Sequence, residues 1–218
     1  MDQNSQAFIS KAVIEMVMRG VSIKLIASNK VDINTGEKAK RGKTLQRVNG
    51  YFDETVPDFV CAVGKPQKLW LPVFVHEYCH FLQWKEGCKV WNKFDRTRHM
   101  EDYDDWIQRK KDLPDDVVRR LTRVSQELEL DCEKRAVAII EEFGLPLDIE
   151  DWIKGANAYL LFYEVVRRER AWSKISPYEI PAILKLMSPH WLSRYDRISK
   201  KFYRLVVTRC MEDVSGNS

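Results

Sequence analysis

Residues 73–82 read Val-Phe-Val-His-Glu-Tyr-Cys-His-Phe-Leu, and this stretch decides the character of the chain. Apolar residues flank His76, Glu77 and His80 on both sides, as in a helix largely buried in a core. Two histidines four residues apart on a helix share one face, a turn apart, so both imidazoles reach one metal ion. Glu77 then stands beside the remaining coordination place, where it takes a proton from water and passes it to a leaving group. Imidazole suits zinc, and water bound to zinc becomes acidic near neutral pH, so Zn2+ is the expected ion. The plain alternative is a chance spacing in an amphipathic helix. Against it, the chain has only 4 histidines and two of them make this motif. Unliganded imidazoles and a carboxylate would also be costly to bury there.

Toward the N-terminus, Phe8, Ile9, Ala12, Val13, Met16 and Val17 recur at helical spacing over residues 6–18, and Gly20 supplies a stop. Residues 21–27 alternate as a strand. Residues 30–50 are polar and rich in Gly and Lys, a loop or hairpin tip. Short strands follow at 50–52 and 59–63. The motif helix begins at Pro66 or Pro72, since either suits a first turn where a missing N–H is no loss, and it runs to Lys85. Beyond it the pattern is helical over 101–111, 114–143, 149–171, 178–187 and 189–208. Turn signals separate these at Leu113-Pro114, Gly144-Leu145-Pro146 and Ser188-Pro189. The expected fold is therefore α+β and mostly helical, with a small N-terminal β-sheet, the motif helix, a glutamate-bearing helix and a C-terminal helical extension. Residues 1–146 form the expected core, 147–210 an extension packed on it, and 211–218 a disordered tail.

A hydrolytic zinc site takes a third protein ligand and leaves the fourth place to water. The helix from Pro114 carries Glu127, Glu129, Asp131 and Glu133 close together. Its apolar stripe runs through Leu121, Val124, Leu128, Cys132, Ala136, Ile139 and Phe143. Glu129 lies at the edge of that stripe, beside Ser125, Cys132 and Ala136, all small enough to let another helix approach. Glu127 and Glu133 point further away and Asp131 falls on the opposite flank. The choice for third ligand is Glu129, with Glu133 orienting it or a ligand histidine from behind. An acidic solvent face paired with Lys134 and Arg135 is the competing account. His99, in a polar connection, is a rival ligand, although an exposed loop histidine is the simpler description. His190 opens a helix and is a candidate donor to an oxyanion, as are Tyr159 and Tyr163, whose neighbours Leu161, Phe162 and Val165 also suit plain packing.

At 218 residues, with 44% hydrophobic and 31% charged side chains, the chain can bury a sizeable core, which excludes disordered and coiled-coil classes. No apolar run approaches membrane-spanning length, and the first residues lack a basic stretch followed by an apolar one. Neither membrane anchor nor secretory leader is expected. The five cysteines are scattered without a CxxC pair, which fits free thiols in the cytoplasm. The net charge of +4 hides an asymmetry: 17 acidic against 11 basic residues over 95–154, then 11 basic against 3 acidic over 165–209. Such a basic stretch attracts polyanions, nucleic acid included, unless it merely solvates helix surfaces.

His76, Glu77 and His80, followed by a helix bearing an ExxxE pattern and Ala136, resemble a zincin metallopeptidase of the gluzincin type. In that group the ligands are the two motif histidines and a downstream glutamate, usually in an ExxxD setting with an alanine three residues after the aspartate. The resemblance puts zinc ligands at His76, His80 and Glu129 and the general base at Glu77. Glu133 stands where the aspartate usually is. The other register, Glu127 with Asp131, restores ExxxD but places Lys134 where the alanine belongs. The Gly and third His of metzincins are absent, those positions being Gln83 and Glu86. The stretches GYFDETVPDFVCAVGKP, WLPVFVHEYCHFLQW and ELELDCEKRAVAII are similar to a little-characterised set of phage-encoded and bacterial metallopeptidases, over roughly residues 48 to 190. The resemblance implies a zinc hydrolase that cleaves a protein or peptide substrate in the cytoplasm of a bacterium or phage-infected cell. Two alternatives stand beside it. One is a nucleic-acid-associated protein with a structural or relic zinc site; the other is an inactive interaction protein.

Overall fold

Helix α1 (Gln3–Met18) starts where the Asp2 carboxylate accepts the Ser5 N–H at 2.9 Å and the Ser5 hydroxyl at 2.7 Å. That cap satisfies a donor which the first helical turn leaves open. Phe8, Ala12 and Met16, spaced by four, form its buried stripe. The structure, a computed structural model, describes residues 1–40, 47–96 and 99–211, with side chains apart from those of residues 96, 99 and 100.

Five strands follow: β1 (Ser22–Ile26), β2 (Val31–Asp32), β3 (Arg47–Val48), β4 (Gly50–Asp53) and β5 (Asp58–Ala62). Three make a sheet in the order β1-β5-β4, with β1 parallel and β4 antiparallel to β5. Central β5 is covered on both faces, which is why Phe59, Val60, Cys61 and Ala62 are all buried in succession. The Asp53 carboxylate accepts the Thr55 N–H at 2.9 Å and so shapes the β4–β5 turn. The polar stretch expected as a loop also carries the short antiparallel pair β2–β3, in which Val31 faces Val48 and packs against Val60 and Ala62. Two valines outweigh the polarity around them. Residues 41–46 of that stretch lie outside the described residues.

Helix α2 (Gln67–Glu86) begins directly after Pro66, which makes Pro72 an interior residue and not the first-turn proline of the alternative expectation. Pro72 denies the Lys68 carbonyl its intrahelical donor, a loss confined to the helix start. Gly87, at φ 56°, closes the helix in the left-handed conformation, and the Cys88 N–H reaches the Gln83 carbonyl at 3.1 Å. One face of α2 lies on the sheet: the Phe74 ring is 4.9 Å from Phe59 and 5.9 Å from Phe8. Burying each such ring contributes ~1.5–3 kcal/mol. Gly50 allows the close approach, because a Cβ there would stand 2.8 Å from the Val60 carbonyl oxygen and 2.9 Å from Val73.

The helical remainder comprises α3 (Lys89–Arg96), α4 (His99–Ile107), α5 (Asp115–Phe143), α6 (Ile149–Glu169), a 3-10 turn (Pro177–Glu179), α7 (Pro181–Leu184) and α8 (Lys200–Val206), which runs into a π turn (Val207–Met211). The chain is thus α+β, with a small sheet and a mostly helical body. Contacts gather Met1–Cys88 with Lys134–Leu147 in one compact unit and Lys89–Glu133 with Asp148–Ser218 in another, α5 running through both. In the first, Phe143 meets Phe8 at 5.3 Å, Asn4 Nδ2 donates to the Gly144 carbonyl at 3.0 Å and Arg135 pairs with Glu86 at 2.7 Å. In the second, α6 is buried nearly all round, at the centre of a core that includes Trp106, Leu121, Ile183, Phe202 and Val206. Arg170 ends α6 at φ 50°, an uncommon conformation for a non-glycine residue. Three hydrogen bonds hold it there: 2.6 Å to the Trp106 carbonyl, 2.7 Å to the Asp112 carboxylate and 2.7 Å to the Lys111 carbonyl.

Four helical expectations need correction. Residues 89–96, outside every helix expected from the sequence, form α3, because Trp91 and Phe94 share a face with rings 6.5 Å apart. The expected helix over 101–111 is instead His99–Ile107, ended near Arg109 at φ 61°. The expected helix over 178–187 breaks into the 3-10 turn and α7, since Pro181 has no N–H to continue it. Residues 189–199 are irregular and only Lys200–Val206 is α-helical. In that segment side chains replace the helical ladder. Asn157 Nδ2 donates to the Ser188 and His190 carbonyls at 3.0 and 2.9 Å, and Gln126 Nε2 donates to the Tyr195 carbonyl at 3.1 Å. The tail expected over 211–218 falls outside the described residues from 212 onward, Met211 ending the π turn.

Candidate metal centre

His76 and His80 project from α2 one turn apart, and their Nε2 atoms stand 3.2 Å from each other with the rings at 88°. The Gln83 side chain sets the tautomer. Its Oε1 lies 2.9 Å from His80 Nδ1, and with Nδ1 as the donor of that bond a neutral His80 carries its lone pair on Nε2. Two lone pairs at that separation repel unless a proton or a cation lies between them. Two ligands of a tetrahedral zinc ion, each at ~2.0–2.1 Å from the metal, stand about 3.3 Å apart, close to what the two imidazoles present.

Glu77 is half-buried on the same helix. The Cys61 thiol of β5 registers its charge: burial first, then the Glu77 carboxylate, pushes that thiol up to about 12. Glu77 thus stands within electrostatic range of the central strand.

On α5, Glu129 and Cys132 are three residues apart and so on one face. Ligand atoms of His76, His80, Glu129 and Cys132 all lie within 4.8 Å of one another, a donor set of two nitrogens, one oxygen and one sulfur. These donor types suit zinc. The Tyr163 hydroxyl of α6 donates to Glu129 Oε1 at 3.4 Å. Burial first, then Tyr159 and Glu129, lifts the Tyr163 phenol well above its ordinary 10, so it remains a neutral donor.

The other acidic candidates lie outside the four-residue group. Glu127 is ion-paired with Lys93, and Asp131 is half-buried; neither belongs to the four-residue group. Glu133 is buried and accepts the Trp152 indole N–H at 2.6 Å, a bond that anchors it to α6. His99 is the first residue of α4, a helical and not a loop position. His190 opens no helix: it is exposed in the irregular segment, with its N–H on the Ser188 hydroxyl at 3.0 Å and its carbonyl held by Asn157. Tyr159 packs against Tyr163 at 5.5 Å and Tyr178 at 6.0 Å.

Two residues that matter here were not singled out in the sequence. Cys132 read as a small packing residue, yet a cysteine one turn after a carboxylate is itself a ligand pattern. Gln83 read only as the absence of a metzincin residue, whereas a fully buried amide three residues after His80 is positioned to hold its ring. Comparison of the chain with protein-family models, with curated proteins and with solved structures finds no match.

Proposed function

We propose that this chain is a zinc-dependent metallopeptidase of the zincin type, hydrolysing peptide bonds of a protein substrate. The observation that carries this reading is the convergence of His76 and His80 Nε2 to 3.2 Å, with Glu77 on the turn between them. A zinc ion bound there supplies Lewis acidity that polarises the scissile carbonyl and acidifies a water molecule. His76 and His80 bind through Nε2, and Gln83 keeps the His80 ring in the binding tautomer. Glu129 supplies the oxygen ligand, its carboxylate steadied by the Tyr163 hydroxyl. The Glu77 carboxylate accepts the proton of the attacking water and then gives it to the departing amine. Tyr159 and His190 are the side chains from which an oxyanion donor is proposed. Five cysteines in the thiol form, and no helix among the described residues long and apolar enough to cross a membrane, are in keeping with action in a bacterial or phage-infected cytoplasm.

The test pairs metal analysis with proteolysis. The purified chain is expected to hold one zinc per molecule and to cut an unfolded polypeptide. Glu77→Gln is expected to keep the zinc and lose activity by ~10²–10⁴-fold. A wild-type chain without zinc, or a Glu77→Gln variant as active as wild type, refutes the reading. A second reading, association with nucleic acid, draws on Arg197, Lys200, Lys201 and Arg204, all exposed around the start of α8.

A further inference from the structure

Cys132 is completely buried on α5, three residues from Glu129, and its sulfur is one of the four donor atoms gathered within 4.8 Å. A three-ligand zinc site of two imidazoles and one carboxylate keeps a net positive charge and leaves one place to water. Adding a thiolate closes the tetrahedron and brings the charge of ion plus ligands to zero, which suits a site next to buried side chains. Sulfur is also a strong competitor for zinc, because a thiol that meets the ion gives up its proton.

We propose that Cys132 is the fourth protein ligand of the ion held by His76, His80 and Glu129, so that the resting centre is closed and water gains a place only when the Cys132 sulfur is off the metal. This rests on the zinc reading of the same site and adds a control to it. Wild type then works at a fraction of the rate that the open centre would reach, restrained by its own side chain. The competing account of Cys132 is a small apolar residue filling the α5 stripe between Leu128 and Ala136, which would put no sulfur on the metal.

Cobalt(II) and zinc serve as probes on the full chain. Cobalt-loaded wild type is expected to show a thiolate-to-cobalt charge-transfer band in the near ultraviolet. X-ray absorption of the zinc form is expected to show one sulfur at about 2.3 Å beside nitrogen and oxygen ligands. Cys132→Ala is expected to lose the sulfur signature, to hold zinc at least ~10-fold more weakly, and to cleave an unfolded polypeptide at least ~10-fold faster at saturating zinc. Wild type that binds one metal with nitrogen and oxygen ligands alone overturns the role of Cys132 and leaves the peptidase reading standing. Wild type that binds neither ion overturns both. The wild-type spectra decide the ligand even if Cys132→Ala fails to fold.

Discussion

Gln83 illustrates how much one uncharged side chain governs at this centre. It is fully buried, and its Oε1 accepts the His80 Nδ1 proton at 2.9 Å, turning the His80 Nε2 lone pair toward His76. Substitution by leucine keeps the volume and removes the acceptor, so the His80 ring loses both its tautomer and its orientation. Gln83→Leu is therefore expected to weaken zinc binding by ~10–100-fold in a titration against a chromophoric chelator, whereas Gln83→Glu retains the acceptor and most of the affinity. Equal affinity of the Leu variant and wild type would remove Gln83 from the metal centre. Glu133 follows the same logic. Its carboxylate, one turn after Glu129, accepts the Trp152 indole N–H at 2.6 Å and is thereby tied to α6.

At the level of elements, the irregular segment from Ser188 to Ser199 shows hydrogen bonding deciding against a pattern. Helical periodicity extends through 189–208, but Asn157 on α6 takes the Ser188 and His190 carbonyls and accepts the Tyr195 hydroxyl at 2.7 Å. An apolar residue there leaves two carbonyls and a hydroxyl without their partner, at about 1–3 kcal/mol for each group that water does not reach. Asn157→Leu is expected to lower the urea midpoint of the unit containing α6 by a loss of roughly 2–5 kcal/mol, with the denaturant slope unchanged. A midpoint within error of wild type would show that the segment is held by its apolar anchors, Leu192, Tyr195 and Ile198, alone. By contrast α1, α2, α5 and α6 matched their sequence expectation closely. Each is long, with a sustained apolar stripe and a clear terminal signal such as Gly20, Gly87, Asp148 or Gly144.

For the whole molecule, the asymmetry of charge is the property that no single element carries. The 11 basic residues over 165–209 face only 3 acidic ones, and Arg194, Arg167 and Arg170 already have carboxylate partners. Arg197, Lys200, Lys201 and Arg204 remain exposed. If this surface meets phosphates, binding of an oligonucleotide should weaken steeply with salt, with a slope near −0.9 per neutralised phosphate on duplex DNA in a log–log plot. Replacing Lys200, Lys201 and Arg204 together by glutamine should flatten that slope by about two to three. Absence of binding even at low salt would dismiss the nucleic-acid reading and leave the basic residues as solvated helix surface.

The motif helix and the i,i+4 pair of histidines with its glutamate were legible in the chain alone. Each depends on periodicity within one element, and a helix fixes the relation of residues three or four apart whatever surrounds it. Which further side chains join them was decided only by tertiary structure. Cys132 is a packing residue or a ligand according to what stands opposite it, and Gln83 a stray amide or a positioning acceptor according to where the His80 ring turns. The irregular path after Ser188 depends on amides 30 or more residues away in sequence. Such relations carry no local periodic signal, because the groups that satisfy them belong to other elements.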